Sequence, residues 1–315
     1  MERYKGILGE ENRVQPLISK ISRVFYFMKR LLVSVILILV FFCFGTAHLA
    51  ASGVKKQRII SLTPATTEIL FALNLNEEIV GVTTWCNYPP EAANKEKVGS
   101  FSQPDIEKIL LLKPDIIFAA GLEQASAVER LRQLKLEVYV CDPSSMNELF
   151  ESITEIGRFV GREKEAVDLV DRIKTKIRNI SAKVKHLPKD KKPKVFIEIW
   201  HDPLMTIGRN SFVDELIRMA GGINIAHDVF RSYSYFSSEQ VIRRNPDCII
   251  LAYMGVYETL NRVKTRLGWE GVAAVKNNRI YNDINPDIFL RAGPRLAEGL
   301  EEIYNRLHPE KNEPL

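Results

Sequence analysis

A chain of 315 residues, 46% hydrophobic and 26% charged, has an ordinary globular composition and enough length for two domains, which argues against a disordered chain or a small disulfide scaffold. The net charge of +5 is concentrated at the start: residues 1–50 hold seven Lys/Arg against three Glu, so the other 265 residues are nearly neutral. A near-neutral body lacks the basic footprint of a nucleic-acid binder, and none is expected as a partner.

In chain order, Met28-Lys29-Arg30 is a positive start, 31–44 is an apolar stretch, and Gly45, Ala47, Ala50 and Ala51 are small. This is the layout of a secretory signal peptide. Residues 1–51 therefore read as an N-terminal extension and signal, with Met28 the expected start and cleavage expected after Ala47 or Ala51. The protein is expected in the periplasm or another extracytoplasmic space; a retained membrane anchor is the alternative. Cys43 follows the bulky Phe42, which argues against lipoprotein processing there. The body keeps Cys86, Cys141 and Cys248. Cys248 lies in an apolar strand and reads as a buried, inert thiol. Whether Cys86 and Cys141 pair is left open by sequence.

Residues 56–160 alternate strands and helices. Strands are expected at 58–62, 79–84, 116–120 and 137–141. Helices are expected from Thr66 to Leu73 and over 104–112, 125–134 and 146–160. This alternation predicts an α/β lobe with a mostly parallel sheet. Residues 161–190 form a linker dominated by one helix over 163–186, whose apolar positions Ala166, Leu169, Val170, Ile173, Ile177, Ile180 and Val184 make one stripe. Residues 193–315 repeat the α/β style, with strands at 195–200, 248–252 and 279–284. Helices follow at 212–219, 238–243, 257–266 and 294–307, and Tyr233 and Tyr235 fall in a loop.

Residues 107–120, EKILLLKPDIIFAA, return at 239–252 as EQVIRRNPDCIILA. Glu107 meets Glu239, Pro114 meets Pro246, and Asp115 meets Asp247. Each copy reads as a short helix, a Pro-Asp turn and a buried strand. Two similarly built lobes imply a cleft between them, where ligands bind.

The segments RIISLTPATTEILFAL, GVTTWCNYPPEA, KVGSFSQPDIEKILLLKPDIIFA and INPDIFLRAGPRLAEGLE resemble the periplasmic cobalamin-binding proteins of ABC importers, within a class that also binds haem and iron–siderophores. The resemblance covers nearly all of residues 56–308. It implies two α/β lobes with mostly parallel sheets, joined by one long rigid helix, with the ligand in the cleft between them. The implied function is to capture cobalamin or a related corrinoid and deliver it to a membrane permease, as a monomer, with no catalysis and no cofactor beyond the cargo.

A corrin ring, flat and apolar on its faces, needs aromatic walls with a few polar contacts at its amide rim. Trp85, Tyr88, Phe101, Trp200 and Tyr233 follow or end strands and are the candidate walls. By similarity, Trp85, Phe101 and Tyr233 fall at cleft-lining aromatic positions. Asp287 and Arg291, four residues apart, match the family's polar cleft pair and also suit a simple i,i+4 ion pair. Glu107 and Glu239 match the two acids, one per lobe, that dock on arginines of the permease dimer; a carboxylate at a helix start is the plainer explanation. Arg209, Arg231 and Arg291 keep an anionic ferric siderophore, or haem, as alternative cargo. The histidines are scattered without metal spacing, with His201 the one conceivable axial ligand. An α/β enzyme is the remote alternative, since no G-x-S-x-G or phosphate-loop motif is present.

Overall fold

Short apolar runs pair in parallel to build the first lobe. Strands β1 (Ile59–Ser61), β2 (Ile79–Val82), β3 (Ile116–Ala119) and β4 (Val138–Val140) form one sheet in the order β2-β1-β3-β4. Strands buried on both faces read as continuous apolar runs, and IVGV and IIFA are such runs. The structure, a computed structural model, describes residues 56–253 and 260–309. The signal-peptide reading, and the first residues of the helix expected at 257–266, lie outside them.

Helices α1 (Pro64–Ala72), α2 (Ile106–Leu111), α3 (Ala125–Gln133) and α4 (Met146–Phe159) connect and follow these strands. The cap of α1 is Thr63 rather than Thr66. Its hydroxyl accepts the Thr66 N–H at 3.1 Å, and Pro64 occupies the first turn, where no N–H is needed. Helix α2 starts later than expected because Asp105 is its cap, accepting the Lys108 N–H at 3.1 Å. The long helix α5 (Glu163–Val184) has 22 residues, about 33 Å at 1.5 Å per residue.

The second lobe holds β5 (Lys194–His201), β6 (Leu204–Ile207), α6 (Phe212–Met219), β7 (Ile223–Asn224), β8 (Tyr233–Tyr235) and α7 (Ser238–Arg244). After these come β9 (Cys248–Leu251), α8 (Leu260–Lys264), α9 (Ala273–Lys276), β10 (Ile280–Tyr281), α10 (Asp287–Leu290) and α11 (Leu296–Leu307). The sheet order is β10-β9-β5-β6-β8, with β7 also on β5. Strands β10, β9, β5 and β7 are parallel; β6 and β8 add an antiparallel edge. This edge corrects the expectation that Tyr233 and Tyr235 lie in a loop. In Tyr-Ser-Tyr both rings are exposed and the serine between them is half-buried, so the alternation is there, but three residues are too few for a periodic signal.

The internal repeat is structural. The Asp115 carboxylate accepts the Arg58 N–H at 2.8 Å, and its own N–H donates to the Arg58 carbonyl at 2.8 Å. Asp247 does the same with Lys194, at 2.8 and 2.9 Å. Each aspartate thus sets the register in which its strand, β3 or β9, runs beside the strand that opens the lobe, β1 or β5.

Helix α5 buries Ala166, Leu169, Val170, Ile173, Ile180 and Val184. It packs against α4, α6 and α11. One apolar cluster consequently runs from Ile59 and Phe118 through Ile173 to Val195 and Leu300. Burial of each large aliphatic contributes roughly 1.5–3 kcal/mol, so separating the lobes would open a shared core. Cys86, Cys141 and Cys248 are free and buried; burial pushes the Cys248 thiol up to about 12.

Candidate functional site

In parallel α/β sheets, ligands sit beyond the carboxyl ends of the strands. Trp85 follows β2 and is half exposed. The Thr84 N–H donates to the Gly99 carbonyl at 3.0 Å, which holds the Trp85 turn against the turn carrying Phe101. Gly99 has φ +95°, and a Cβ there would lie 2.5 Å from the Gln103 carbonyl, so this turn requires glycine.

Gln124, which sequence reasoning missed, holds the Phe101 turn. It is buried. Its carboxamide oxygen accepts the Ala120 N–H at 2.8 Å, and its nitrogen donates to the Leu62 and Phe101 carbonyls at 2.9 and 2.6 Å. Gln124→Leu removes three hydrogen bonds, two of them buried, at a cost of about 1–3 kcal/mol for each fully desolvated group left unpaired. The expected result is a lowered thermal midpoint together with weakened ligand binding, measured by melting and titration of the same variant. Wild-type behaviour in both assays would remove the strut role.

In the second lobe Trp200 is the last residue but one of β5, is 40% exposed, and donates its indole N–H to the Asp202 carbonyl at 2.9 Å. Its ring lies 5.3 Å from His201 and 6.3 Å from Tyr253, centroid to centroid. The buried Tyr253 donates its hydroxyl to Glu198, which also takes two hydrogen bonds from Arg266 at 2.8 and 2.9 Å. Trp200 thus rests on an anchored base that the sequence did not reveal.

Tyr233 is half exposed but closely surrounded. Loss of water around it pushes its hydroxyl up, reinforced by the carboxylates of Asp142 and Glu123 from the first lobe. Asp142 follows β4, and its carboxylate lies against Gly121, two residues before Glu123. Desolvation first, and Glu123 second, push the Asp142 carboxyl up. Tyr233 of the second lobe is thus within electrostatic reach of two acids of the first.

Asp287 and Arg291 are ion-paired at 2.7 Å, but they belong to a larger buried cluster between the lobes. Arg291 also reaches Glu68 at 3.3 Å and the Asn87 side-chain carbonyl at 2.8 Å, while Asn87 donates to Asp287 at 3.3 Å. Arg295 makes two hydrogen bonds to Glu68, at 2.8 and 2.6 Å, and its guanidinium stacks 3.8 Å from the centre of the Tyr88 ring. With two carboxylates and two guanidiniums the cluster is charge-neutral. It engages Arg291 with protein groups rather than leaving it free for an anion. Tyr88 also lines a groove of about 830 Å³ with Glu77, Glu91, Arg172 and Lys176. Phe71, Leu169 and Ile173 line it too, so its wall mixes charged and apolar side chains. The structure thus groups the Trp85 and Phe101 turns, brings Tyr233 within electrostatic reach of the first lobe's acids, and places Tyr88 with the Asp287–Arg291 cluster.

Glu107 and Glu239 are exposed, each the second helical residue of its short helix, after caps Asp105 and Ser237. Glu239 is held below the usual carboxylate range by backbone N–H at the helix start, then by the Ser237 hydroxyl. Arg209 lies over the Phe230 ring and donates to the His227 carbonyl. Among the described residues no three His, Cys, Asp or Glu converge as a metal site, and no helix is long and apolar enough to cross a membrane.

Residues 59–285 match the family described as periplasmic binding protein. An uncharacterised ABC transporter substrate-binding lipoprotein of Bacillus subtilis is 36% identical over 264 residues, 82% of each chain. A vitamin B12-binding protein of Pectobacterium carotovorum is 29% identical over 274 residues, covering 85% of this chain and 95% of its own. The crystal structure of a possible iron-binding, periplasmic solute-binding protein from Staphylococcus epidermidis is 33% identical with a TM-score of 0.71, covering 81% of this chain and all of its own. With two largely parallel sheets joined through one long helix, the chain belongs to the periplasmic binding protein family and is the substrate-binding protein of an ABC transporter.

Proposed function

We propose that the protein captures cobalamin or a related corrinoid outside the cytoplasm and hands it to a permease dimer that docks on Glu107 and Glu239. The observation that supports this reading is that Trp85, Trp200 and Tyr233, the rings it assigns to the cleft wall, are 48%, 40% and 47% exposed and so available to a ligand. Rings held by anchored neighbours form a preorganised wall, which lowers the ordering cost of binding a large flat ligand. In this reading Phe101 extends the wall, and Tyr88, Asp287 and Arg291 close its floor. The vitamin B12-binding relative supports the corrinoid cargo, and the lipoprotein relative supports an extracytoplasmic location.

A ferric complex is the competing cargo, supported by the Staphylococcus protein. Its anionic forms fit less well. The Asp142 and Glu123 carboxylates put negative charge within electrostatic reach of Tyr233, and two of the three candidate arginines are already engaged with protein groups. Equilibrium titration of the purified protein with cyanocobalamin, cobinamide, haem and a ferric siderophore tests this. Saturable binding of a corrinoid is expected. Binding confined to haem or the siderophore would overturn the cargo assignment.

A further inference from the structure

The docking acids stand in an apolar setting. Helix α2 turns Ile109 into the core, fully buried, while Leu110 and Leu111 on the same helix are 41% and 79% exposed. Helix α7 turns Val241 inward, fully buried, and leaves Ile242 38% exposed. The internal repeat aligns Ile109 with Val241 and Leu110 with Ile242. Packing accounts for the inward pair; it does not account for the outward pair.

The outward residues share a face with the acids. Residues three and four apart on a helix are neighbours, so Leu110 and Leu111 flank Glu107, and Ile242 flanks Glu239. In the second lobe the i+4 position is Arg243 instead of an aliphatic. There the loop after α8 supplies one. Leu267 is 94% exposed, and a Cβ on the next residue, Gly268, would lie 3.0 Å from the Ile242 side chain. Both lobes thus present one carboxylate beside two exposed aliphatics, built from different elements in the two cases.

We propose that each lobe carries a composite docking foot, Glu107 with Leu110 and Leu111 and Glu239 with Ile242 and Leu267, shaped for a permease surface that sets a cation in an apolar depression. The proposal rests on the permease-docking reading and adds to it the source of the affinity. An exposed ion pair stabilises little by itself and is screened by salt. Apolar area removed from water supplies stabilisation that salt does not screen. The acid then sets orientation and encounter rate, while the aliphatics prolong the docked state.

The test measures binding of the full-length protein, with cyanocobalamin present, to the corrinoid permease dimer of the same cell reconstituted in nanodiscs, across a salt series. Leu111→Ser/Leu267→Ser is compared with Glu107→Gln/Glu239→Gln and with Val167→Ser, an exposed control on α5. The leucine variant is expected to bind roughly tenfold more weakly at every salt concentration, as loss of interface anchors does, with its salt dependence and cyanocobalamin affinity unchanged. The glutamine variant is expected to lose the salt dependence, and the control to match wild type. Unchanged permease affinity in the leucine variant overturns the composite foot. If the glutamine variant alone is impaired, acid docking stands without it; if neither is impaired, both fail.

Discussion

Glu68→Ala is expected to destabilise the protein by about 3–5 kcal/mol, the usual cost of removing one partner from a buried ion pair. Glu68 is 3% exposed and receives three hydrogen bonds from Arg291 and Arg295. Its loss leaves Arg295 with the Tyr88 ring as its main compensation, and Arg291 with Asp287 and Asn87. For a body of this size the thermal midpoint should fall by about 10 °C. Glu68 comes from α1, and the arginines come from the far end of the chain, so the loss also loosens one lobe against the other. Asn87 lies two residues from Trp85, and the cleft wall should become less ordered as well. A variant that melts with the wild type would show that the cluster does not fasten the lobes.

The second large effect is on binding. Trp85→Ala and Tyr233→Ala each remove a half-exposed ring from a different lobe. Aromatic hot spots cost about 2 kcal/mol or more on truncation. Coming from different lobes, the two changes should add, weakening cyanocobalamin binding roughly a thousandfold. Neither ring is part of the shared core, so the melting temperature should stay close to wild type. Affinity retained in the double variant would show that the cargo does not lie between these rings.

Much of the architecture was legible in the sequence because its signals were local. The apolar runs of β3 and β9, the stripe on α5 and the paired Pro-Asp turns each state their structure within a few residues. The repeat went further: Asp115 and Asp247 perform the same backbone capping in both lobes. The antiparallel β6–β8 edge was not legible, because its strands, four and three residues long, are too short for a periodic signal. At the site, Trp85 and Trp200 stood out as large rings in polar or strand-end positions. Gln124, Glu68 and Arg295 did not, since their meaning lies in partners tens to hundreds of residues away. For the same reason the Asp287–Arg291 pair was legible at its i,i+4 spacing, but the Glu68 and Asn87 contacts of Arg291 were not.

Intrinsic fluorescence gives the most direct test of corrinoid capture in this cleft. The chain has three tryptophans: Trp85 and Trp200, the proposed wall residues, are half exposed, and Trp269 is fully buried. Titration with cyanocobalamin, which absorbs tryptophan emission, is run on the wild type and on Trp85→Phe and Trp200→Phe. The account predicts saturable quenching in the wild type, with the quenched amplitude reduced in each variant. Saturable binding that quenches all three proteins equally, or no binding of any corrinoid, would contradict it.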